Sequence, residues 1–460
     1  MLFSSNVFLF VFLPIVLLLY YILPRSFRNP VLLLFSLFFY GWGEPIYLIL
    51  MIVTIVMDYL FGLWIHSKKS KNKSAKVALI IGVIANLSIL GFFKYTGFIV
   101  EQLRNIPGLS EIQAPEITLP IGISFYVFQS MSYLIDVYRN DAPIQKDLVK
   151  LGTYVTLFPQ LIAGPIVRYG DVAKQLSSRK ENIADFASGV LLFIIGLSKK
   201  VLLANPMGAL WNELQGENGT LAAWIGIFAY TLQIYFDFSG YSDMARGLGR
   251  MFGFEFLENF NYPYISRSIT EFWRRWHISL STWFKEYVYI PLGGNRKGLA
   301  KQIVNILVVW ALTGLWHGAS WNFVLWGVYY GIILIIEKTF LLKFLKKIPA
   351  FFGQIYSFFV VIIGWVLFFF EDMAALKGFF VKLFSIEMCS ENGNVLILAY
   401  FPMLIIGAIS ATPILKRIFK NKQDSAVVRY GKITICFILF ALCVASLANQ
   451  SYNPFIYFRF

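Results

Sequence analysis

Residues 304–326 read VNILVVWALTGLWHGASWNFVLW, and this stretch determines how the rest of the chain is interpreted. It is apolar and aromatic for most of its length, and His317 has no charged neighbour within it. An ionisable residue inside an apolar membrane helix is costly, and it usually faces a bundle interior or a water-filled cavity. Histidine is also the side chain best suited to accept and return a proton near neutral pH. The stretch therefore predicts a membrane helix that carries a functional base.

The composition excludes an ordinary soluble protein. Of the 460 residues, 58% are hydrophobic and only 14% are charged, and several apolar runs are long enough to cross a membrane. The net charge of +15 does not indicate nucleic-acid binding, because the basic residues stand mostly in short loops between apolar runs. The three cysteines form no disulfide or metal-ligand pattern, and no nucleotide-binding loop is present. We predict no bound metal and no resident cofactor.

The hydrophobic pattern predicts an all-α polytopic membrane protein, a single domain over residues 1–460 with about twelve spans. The predicted spans cover residues 6–23, 30–41, 45–65, 77–93, 119–138, 186–204, 221–237, 302–316, 321–337, 351–370, 395–412 and 433–449. Residues 151–165 are apolar but contain two prolines and two glycines, so we expect a re-entrant or broken segment there. Residues 269–298 interleave aromatic and basic side chains, which indicates an amphipathic helix at the membrane surface.

Loop charge predicts the orientation in a plasma or inner membrane. Loops rich in lysine and arginine alternate along the chain with loops that are acidic or poor in base. Basic loops stay in the cytoplasm, so both termini are expected on the extracytoplasmic side, including the tail 450–460. Lys199 and Lys200 fit this alternation poorly, because they fall near the outer end of their predicted span.

The chain has three histidines. His317 is interpreted as a general base, with a structural histidine hydrogen-bonded between helices as the alternative. His277, in the sequence WRRWH, is either an interfacial residue packed beside arginines or a functional residue, as a second polar group of the same site or as part of the donor site. Arg274 and Arg275 are expected to lower its basicity. His66 ends a span and is expected to be an interfacial residue.

Polar residues are concentrated at the end of the predicted span 221–237 and just beyond it. They are Gln233, Asp237, Ser239, Tyr241, Ser242 and Asp243. The two carboxylates need partners at this depth, and Arg246 and Arg250 on later turns are the expected ones. The cluster is therefore either an ion-pair network that fixes helix positions or the polar lining of a reaction chamber.

Two further groups of residues have a structural and a functional interpretation. The first is a cytoplasmic basic surface made of Arg267, Arg274, Arg275, Lys285, Arg296 and Lys297. It either contacts anionic lipid or binds the phosphates of an activated donor such as a coenzyme A thioester. The second is the tail 452–460, YNPFIYFRF, which is either an aromatic anchor at the outer interface or the carrier of a functional hydroxyl, that of Tyr457.

Six long motifs extend nearly from end to end of the chain. They are MLFSSNVFLFVFLPI (1–15), LPIGISFYVFQ (119–129), FPQLIAGPIVR (158–168), QIYFDFSGYSDMARG (233–247), EFWRRWHISLSTWFKEYVYIPLGGNR (271–296) and LWHGASWNFVLWG (315–327). In these motifs the chain resembles the membrane-bound O-acyltransferase family, in the bacterial branch typified by the alginate O-acetylation protein. The teichoic acid D-alanylation branch is similar around RWH and WHG, whereas IPLGGNR fits the alginate-type branch better.

The resemblance implies a funnel-shaped helical bundle that is thin at its centre. It implies that His317 is catalytic and that His277 is the family's second histidine, with a less settled role. It also implies that Tyr457, within FIYFRF, carries the acyl group as an intermediate. We place eight further residues among the substrate- or donor-binding ones: Gln233, Asp237, Ser239, Tyr241, Arg274, Arg275, Trp316 and Asn322.

The reaction that the resemblance implies is acetyl transfer from cytoplasmic acetyl-CoA to a cell-surface polysaccharide. The expected partners are membrane lipid and a secreted or membrane-anchored serine hydrolase-like (SGNH-type) O-acetyltransferase, and no nucleic acid. D-alanyl transfer to teichoic acid is the alternative chemistry. A transporter that moves its substrate intact, or a scaffold for the secreted enzyme, is the non-catalytic alternative.

Overall fold

The described chain is built of helices. A computed structural model describes residues 1–113, 115–420, 426–449 and Ile456, and none of these lies in a strand. The α-helices are α1 (Leu13–Ile22), α2 (Arg28–Gly41), α3 (Tyr47–Ser70), α4 (Lys76–Arg104), α5 (Ile123–Arg139), α6 (Leu148–Thr156), α7 (Phe158–Leu161), α8 (Tyr169–Ser177), α9 (Ile183–Ser198), α10 (Asn205–Gly216), α11 (Thr220–Met251), α12 (Ile269–Phe272), α13 (Ile278–Phe284), α14 (Gly298–His317), α15 (Trp321–Ile336), α16 (Leu342–Leu345), α17 (Ala350–Phe369), α18 (Met373–Leu383), α19 (Glu391–Ser410), α20 (Ile414–Lys420) and α21 (Ala426–Asn449). Four π-helical turns adjoin them, at Phe8–Phe12, Lys199–Ala204, Lys285–Tyr289 and Glu337–Leu341, and 3₁₀ turns lie at Arg25–Phe27 and Pro263–Ile265. The predicted all-α class is confirmed.

The chain divides into two compact units. The first contains Met1–Phe193 and Met244–Leu257, and the second contains Ile194–Asp243 and Glu258–Phe460. α9 and α11 each run from one unit into the other. The two histidines expected at the site and the polar cluster on α11 belong to the second unit. The single domain over residues 1–460 stays a prediction.

Nine helices of the described chain are long and apolar enough to cross a membrane. They are Tyr47–Ser70, Lys76–Arg104, Ile183–Gly216, Thr220–Met251, Gly298–His317, Trp321–Leu345, Ala350–Phe369, Glu391–Ser410 and Tyr430–Asn449. These helices coincide with nine of the twelve predicted spans. The other three predicted spans correspond to the shorter helices Phe8–Ile22, Arg28–Gly41 and Ile123–Arg139. A total of about twelve membrane spans is consistent with these helices, of which nine in the described chain are individually long enough to cross a membrane.

Residues 151–165 form a broken segment, as the sequence predicts. α6 begins after Asp147, whose carboxylate accepts hydrogen bonds from two backbone N–H groups of the first turn. The chain leaves the helical conformation at Leu157, and Pro159 then stands in the first turn of the short helix α7. Proline is favoured in the first turn of a helix because it lacks the N–H that would be unpaired there.

The helix predicted over residues 269–298 is not continuous. It is divided into α12, α13 and the π-helical turn that follows, and the chain turns at His277, where φ is +43°. Residues other than glycine rarely adopt this left-handed backbone conformation, so neighbouring residues must stabilise the turn. Buried Glu337 fixes the start of the segment, since its carboxylate accepts hydrogen bonds from the N–H groups of Ile269 and Thr270 at 2.6 and 2.8 Å. Polar contacts between distant segments therefore set this path, and a periodicity argument does not detect them.

Lysines neutralise the carboxylates of α11. Lys199 Nζ lies 2.6 Å from Asp243 Oδ2, and Lys200 Nζ lies 2.7 Å from Asp237 Oδ1. The sequence predicted the two arginines on later turns of α11 as partners, and it did not predict these two lysines, which follow α9. This pairing explains why these lysines fit the loop-charge alternation poorly, because they pair with acids inside the protein instead of facing a loop.

Close helix packing allows these ion pairs to form. A Cβ atom added at Gly240 of α11 would lie 2.7 Å from the backbone oxygen of Gly196 in α9. The two backbones are therefore nearly in contact at this point. Short separation lets the lysines after α9 reach acids on α11 without leaving the protein interior.

Candidate active site

His317 is the last residue of α14, and a tight hairpin places it against α15. Gly314 and Gly327 allow the two helices to approach, because a Cβ atom at either position would collide with the backbone oxygen of Phe323 or of Trp310. Glycine is the residue that permits such close backbone contact. The hairpin thus holds His317 beside the first turns of α15.

Aromatic rings surround His317. Its ring centroid lies 4.9 Å from that of Trp316, 5.0 Å from that of Trp326 and 5.2 Å from that of Phe368, and all three contacts are edge to face. The residue is only 4% exposed. Edge-to-face packing fixes the plane of the imidazole, and the bulk of the rings keeps water away from it.

His277 stands at the turn before α13 and is also buried. Its Nδ1 lies 3.2 Å from Asn259 Oδ1, and its ring packs edge to face on Phe238 at 4.7 Å. Burial lowers the pKa of His277 to about 3, because the charged imidazolium would lose its hydration. The sequence predicted a lowered basicity but attributed it to Arg274 and Arg275, and the cause is burial instead.

Trp316 joins the two histidines in one cluster. Its ring centroid lies 6.0 Å from that of His277 and 4.9 Å from that of His317. Phe238 of α11 contacts His277 on another side, so α11 contributes to the same cluster. The structure therefore brings together three residues that the sequence singled out from two motifs, 271–296 and 315–327.

Asn322 lies one contact away from His317. Its Nδ2 donates a hydrogen bond to the backbone oxygen of Phe368 at 3.1 Å, and the ring of Phe368 packs on His317. Asn322 is fully buried, and its Oδ1 has no hydrogen-bond partner among the described residues. The side chain thus holds one aromatic wall of the cluster and keeps an acceptor atom available.

A cavity of about 840 Å³ lies next to this cluster, and we call it the basic cavity. Its described lining contains no acidic side chain and five basic ones: Arg274, Lys285, Arg296, Lys297 and Lys338. Trp273 also lines it, and the ring of Trp273 lies 5.5 Å from that of Trp326, which contacts His317. One wall is the turn at Gly294, whose backbone oxygen accepts a hydrogen bond from Asn305 at 2.9 Å. The charge of this lining suits an anionic ligand.

Only part of the predicted basic surface lines the basic cavity. Arg275 instead pairs with Glu271, with 2.9 Å between Nη2 and Oε1, and donates a hydrogen bond to the backbone oxygen of Asn261. Lys338, which follows α15, is a member that the sequence did not predict. The run of charges in the sequence indicated the surface, and helix packing decided which cations face the cavity.

The predicted polar residues of α11 are buried: Gln233, Asp237, Ser239 and Tyr241. Asp237 contacts the tail as well as its lysine, because the backbone N–H of Ile456 donates a hydrogen bond to Asp237 Oδ2 at 2.8 Å. Tyr457, the next residue, lies outside the described residues. Phe238 follows Asp237 and packs on His277, so the tail contact and the histidine cluster share one stretch of α11.

Sequence reasoning missed Asn259, Phe368 and the pairing role of Lys200. No motif or periodicity distinguishes a loop asparagine or one phenylalanine among many, so the first two had no signal. Lys200 did have a sequence signal, since an ionisable residue within an apolar run is expected to pair with a buried group of opposite charge. Among the described residues, no group of three or more His, Cys, Asp or Glu is placed to hold a metal ion.

Comparison with known proteins identifies the family. The sequence model of the membrane-bound O-acyltransferase family matches residues 145–376. The chain is 40% identical to the probable alginate O-acetylase AlgI of Azotobacter vinelandii, over 100% of both chains. It is 35% identical to the peptidoglycan O-acetyltransferase of Helicobacter pylori, over 85% of this chain and 81% of that protein. It is 28% identical to the teichoic acid D-alanyltransferase of Bacillus subtilis, over 48% of this chain and 59% of that protein.

The chain therefore belongs to the membrane-bound O-acyltransferase family, and it is a multi-pass membrane O-acyltransferase. Both clustered histidines and the basic cavity lie within the residues that the family model matches. The resemblance inferred from the six motifs is confirmed.

Proposed function

We propose that this chain moves an acetyl group from cytoplasmic acetyl-CoA to the outside of the plasma membrane, for O-acetylation of a cell-surface polysaccharide. His317 acts as the general base. The observation that carries the proposal is the position of His317, buried among rings and separated from the wall of the basic cavity by one tryptophan, Trp326. A base held there takes a proton from a hydroxyl in a place where water, which would hydrolyse the thioester, is excluded.

The basic cavity binds the phosphates of the donor. Five cations without an opposing acid in the described lining match a ligand that carries several phosphate charges. The pantetheine arm extends past Trp273 toward Trp326 and places the thioester at His317. Lysine- and arginine-rich loops are retained in the cytoplasm, so the donor enters from that side.

The transfer step is balanced in protons and electrons. His317 accepts the proton of the attacking hydroxyl while the hydroxyl oxygen bonds to the thioester carbonyl carbon. The C–S bond then breaks, and the protonated imidazole returns its proton to the departing thiolate. An acetyl ester and the free coenzyme A thiol result, and His317 is restored. General acid–base catalysis of this kind contributes about 10²–10⁴ to a rate.

Tyr457 is the proposed first acceptor. Supporting this role, the residue before it, Ile456, donates its N–H to Asp237, and Lys200 binds the other oxygen of that carboxylate. A phenol with a pKa near 10 is a better leaving group than an aliphatic alcohol, so an acetyl-tyrosine ester remains reactive. A secreted or membrane-anchored SGNH-type O-acetyltransferase then takes the acetyl group on its serine and passes it to the polymer.

The similarity pattern favours acetyl over D-alanyl transfer. The relatives that match the chain over most of its length are named for O-acetylation of alginate or of peptidoglycan. The teichoic acid D-alanyltransferase of Bacillus subtilis matches only 48% of the chain. We therefore propose an acetyl group as the cargo and a polysaccharide as the final acceptor.

The proposal is tested by mass spectrometry of the C-terminal peptide. The purified protein in lipid nanodiscs is incubated with isotope-labelled acetyl-CoA, as wild type and as the variants His317→Gln, Tyr457→Phe and His66→Gln. Wild type and His66→Gln are expected to gain a labelled acetyl ester on Tyr457, whereas His317→Gln and Tyr457→Phe gain none. Thermal unfolding of each variant verifies that it is folded.

Other outcomes discriminate between the alternatives. A labelled ester in folded His317→Gln would refute the base. No ester on wild type, with transfer to an added SGNH-type partner still dependent on His317, would refute the tyrosine step and retain the base. Intact acetyl-CoA crossing a vesicle membrane in every variant would indicate a transporter. Polymer acetylation that persists in cells with His317→Gln would indicate a scaffold.

A further inference from the structure

Asn259 is the common acceptor of the turn that carries His277. Its Oδ1 lies 3.0 Å from the backbone nitrogen of Ser279, 2.9 Å from Ser279 Oγ and 3.2 Å from His277 Nδ1. Its backbone oxygen accepts a hydrogen bond from the N–H of Ile278 at 3.0 Å. All of these groups are buried or half-buried, so the contacts are protected from competition by water.

The partners of Oδ1 determine the proton position on His277. A backbone N–H can only donate, so the amide atom of Asn259 that faces Ser279 is the oxygen. An amide oxygen can only accept, so His277 Nδ1 carries a proton toward it. In a neutral imidazole the other nitrogen, Nε2, then has a lone pair.

The opposite tautomer conflicts with this geometry. Ser279 Oγ also lies 3.4 Å from His277 Nδ1, and it could donate to an unprotonated Nδ1. That arrangement would place two lone pairs against each other, Nδ1 and Asn259 Oδ1, at 3.2 Å. The shorter contact, 2.9 Å from Ser279 Oγ to Asn259 Oδ1, favours donation of the hydroxyl proton to that oxygen.

His277 Nε2 is a buried atom without a hydrogen-bond partner among the described residues. A buried polar atom is normally paired, and a substrate group is one partner that an unpaired atom in a site can take. The ring stands in the same aromatic cluster as His317, through Trp316. Nε2 thus belongs to the same aromatic cluster as the proposed general base.

From this we infer that Asn259 is a positioning residue, which locks His277 in the Nδ1–H tautomer so that Nε2 accepts a hydrogen bond from a substrate N–H or O–H. The substrate group is either an amide of the pantetheine arm or the acceptor hydroxyl. The identity of these substrates rests on the proposed function. The tautomer of His277 does not depend on the proposed function. His277 thereby orients a substrate, and His317 moves the proton.

Nitrogen-15 NMR of the full-length protein with labelled histidine tests the tautomer directly. The chain has only three histidines, and the signal of His277 is identified by its loss in His277→Gln. Wild type is expected to show His277 protonated on Nδ1, and Asn259→Leu to lose this tautomer. Ser279→Ala is the matched control, because it removes the hydroxyl and leaves the Asn259–His277 bond, and it should retain the wild-type tautomer. Protonation on Nε2 in wild type, or an unchanged tautomer in Asn259→Leu, overturns the inference.

Asn259→Asp provides a second test if Asn259→Leu does not fold. The carboxylate still accepts from Nδ1 but stabilises the imidazolium, which raises the pH at which His277 gains a second proton. Protonated Nε2 cannot accept, so the variant should lose acetyl transfer as the pH falls through that value and regain it at higher pH. A pH–rate profile identical to that of wild type overturns the inference.

Steady-state kinetics of Asn259→Leu distinguish the two substrate groups. A raised KM for acetyl-CoA assigns Nε2 to the donor amide, and a lowered kcat alone assigns it to the acceptor hydroxyl.

Failure of this inference is distinguishable from failure of the proposed function. The NMR experiment measures the tautomer of His277 without turnover. Its result therefore does not depend on the effect of His317→Gln on acetyl transfer. A protein with the expected tautomer and no acetyl transfer would refute only the proposed function.

Discussion

The two clustered histidines are held by different means. His277 is fixed through a hydrogen bond from Nδ1 to Asn259, in a turn with a strained backbone. His317 stands at a helix end, and three aromatic rings pack edge to face on it. A directed hydrogen bond favours one position of the proton on an imidazole, and edge-to-face ring contacts fix the plane of the ring. This difference fits the proposed roles, in which His277 orients the substrate and His317 moves the proton.

Replacing His317 should have the largest effect. The variant His317→Gln removes the base and should lower the initial rate of acetyl-CoA consumption by about 10²–10⁴-fold, the usual contribution of a general base. The measurement is release of free thiol with a partner acceptor present. His66→Gln, a histidine outside the cluster, should keep the wild-type rate. Equal rates for the two variants would remove the distinction between the histidines.

Replacing His277 should have a smaller effect of a different kind. The amide of asparagine in His277→Asn can still donate to Asn259 but has no atom at the place of Nε2. Loss of one hydrogen bond to substrate should lower the rate by about tenfold. Burial lowers the pKa of His277 to about 3, so it stays neutral near pH 7, and the factor should be constant across the neutral range. A shift of the acid limb of the pH–rate profile would show that His277 titrates during turnover.

The basic cavity sharpens the comparison, because its wall leads to His317 through Trp326. The double variant Arg274→Gln/Lys285→Gln should raise the KM for acetyl-CoA by about three- to tenfold, since each charge lies near water and contributes modestly. Arg275→Gln is the matched control, as Arg275 already pairs with Glu271. An equal rise in KM for the control would contradict the assignment of the donor to this cavity.

The smallest effect is expected for the tryptophan between the histidines. Trp316→Phe keeps an aromatic ring but shortens it, and a lost ring contact contributes about 0.5–1.5 kcal/mol. Because the phenyl ring retains part of that contact, the rate should fall by only about two- to fivefold, without a change in the KM for acetyl-CoA. A loss as large as that of His317→Gln would mean that Trp316 does more than separate and orient the two rings.

The spans were predictable because each is a local property of the chain. Nine of the predicted spans coincide with helices of spanning length, since about 20 apolar residues suffice to cross the bilayer whatever their neighbours are. The break within residues 151–165 was predictable for the same local reason, from its prolines and glycines. The segment 269–298 was not, because its path depends on the buried carboxylate of Glu337 and on the turn at His277.

The site was predictable only in part. An isolated ionisable residue in an apolar helix identified His317, and the family motifs identified His277 and Trp316. Nothing in the sequence indicated that one tryptophan ring contacts both histidines. The lysine partners of Asp237 and Asp243 were not predicted, because spacing along one helix does not reveal what a neighbouring helix presents.

The sequence by itself determined that this is a helical membrane protein of the O-acyltransferase family with a buried histidine. Those properties depend on composition, apolar length and motif identity, which are readable residue by residue. Only the tertiary structure decided which cations line the basic cavity, which lysines pair with α11 and which side chain His277 Nδ1 contacts. Such properties arise from groups distant along the chain, and their distances are set by packing that no local pattern records.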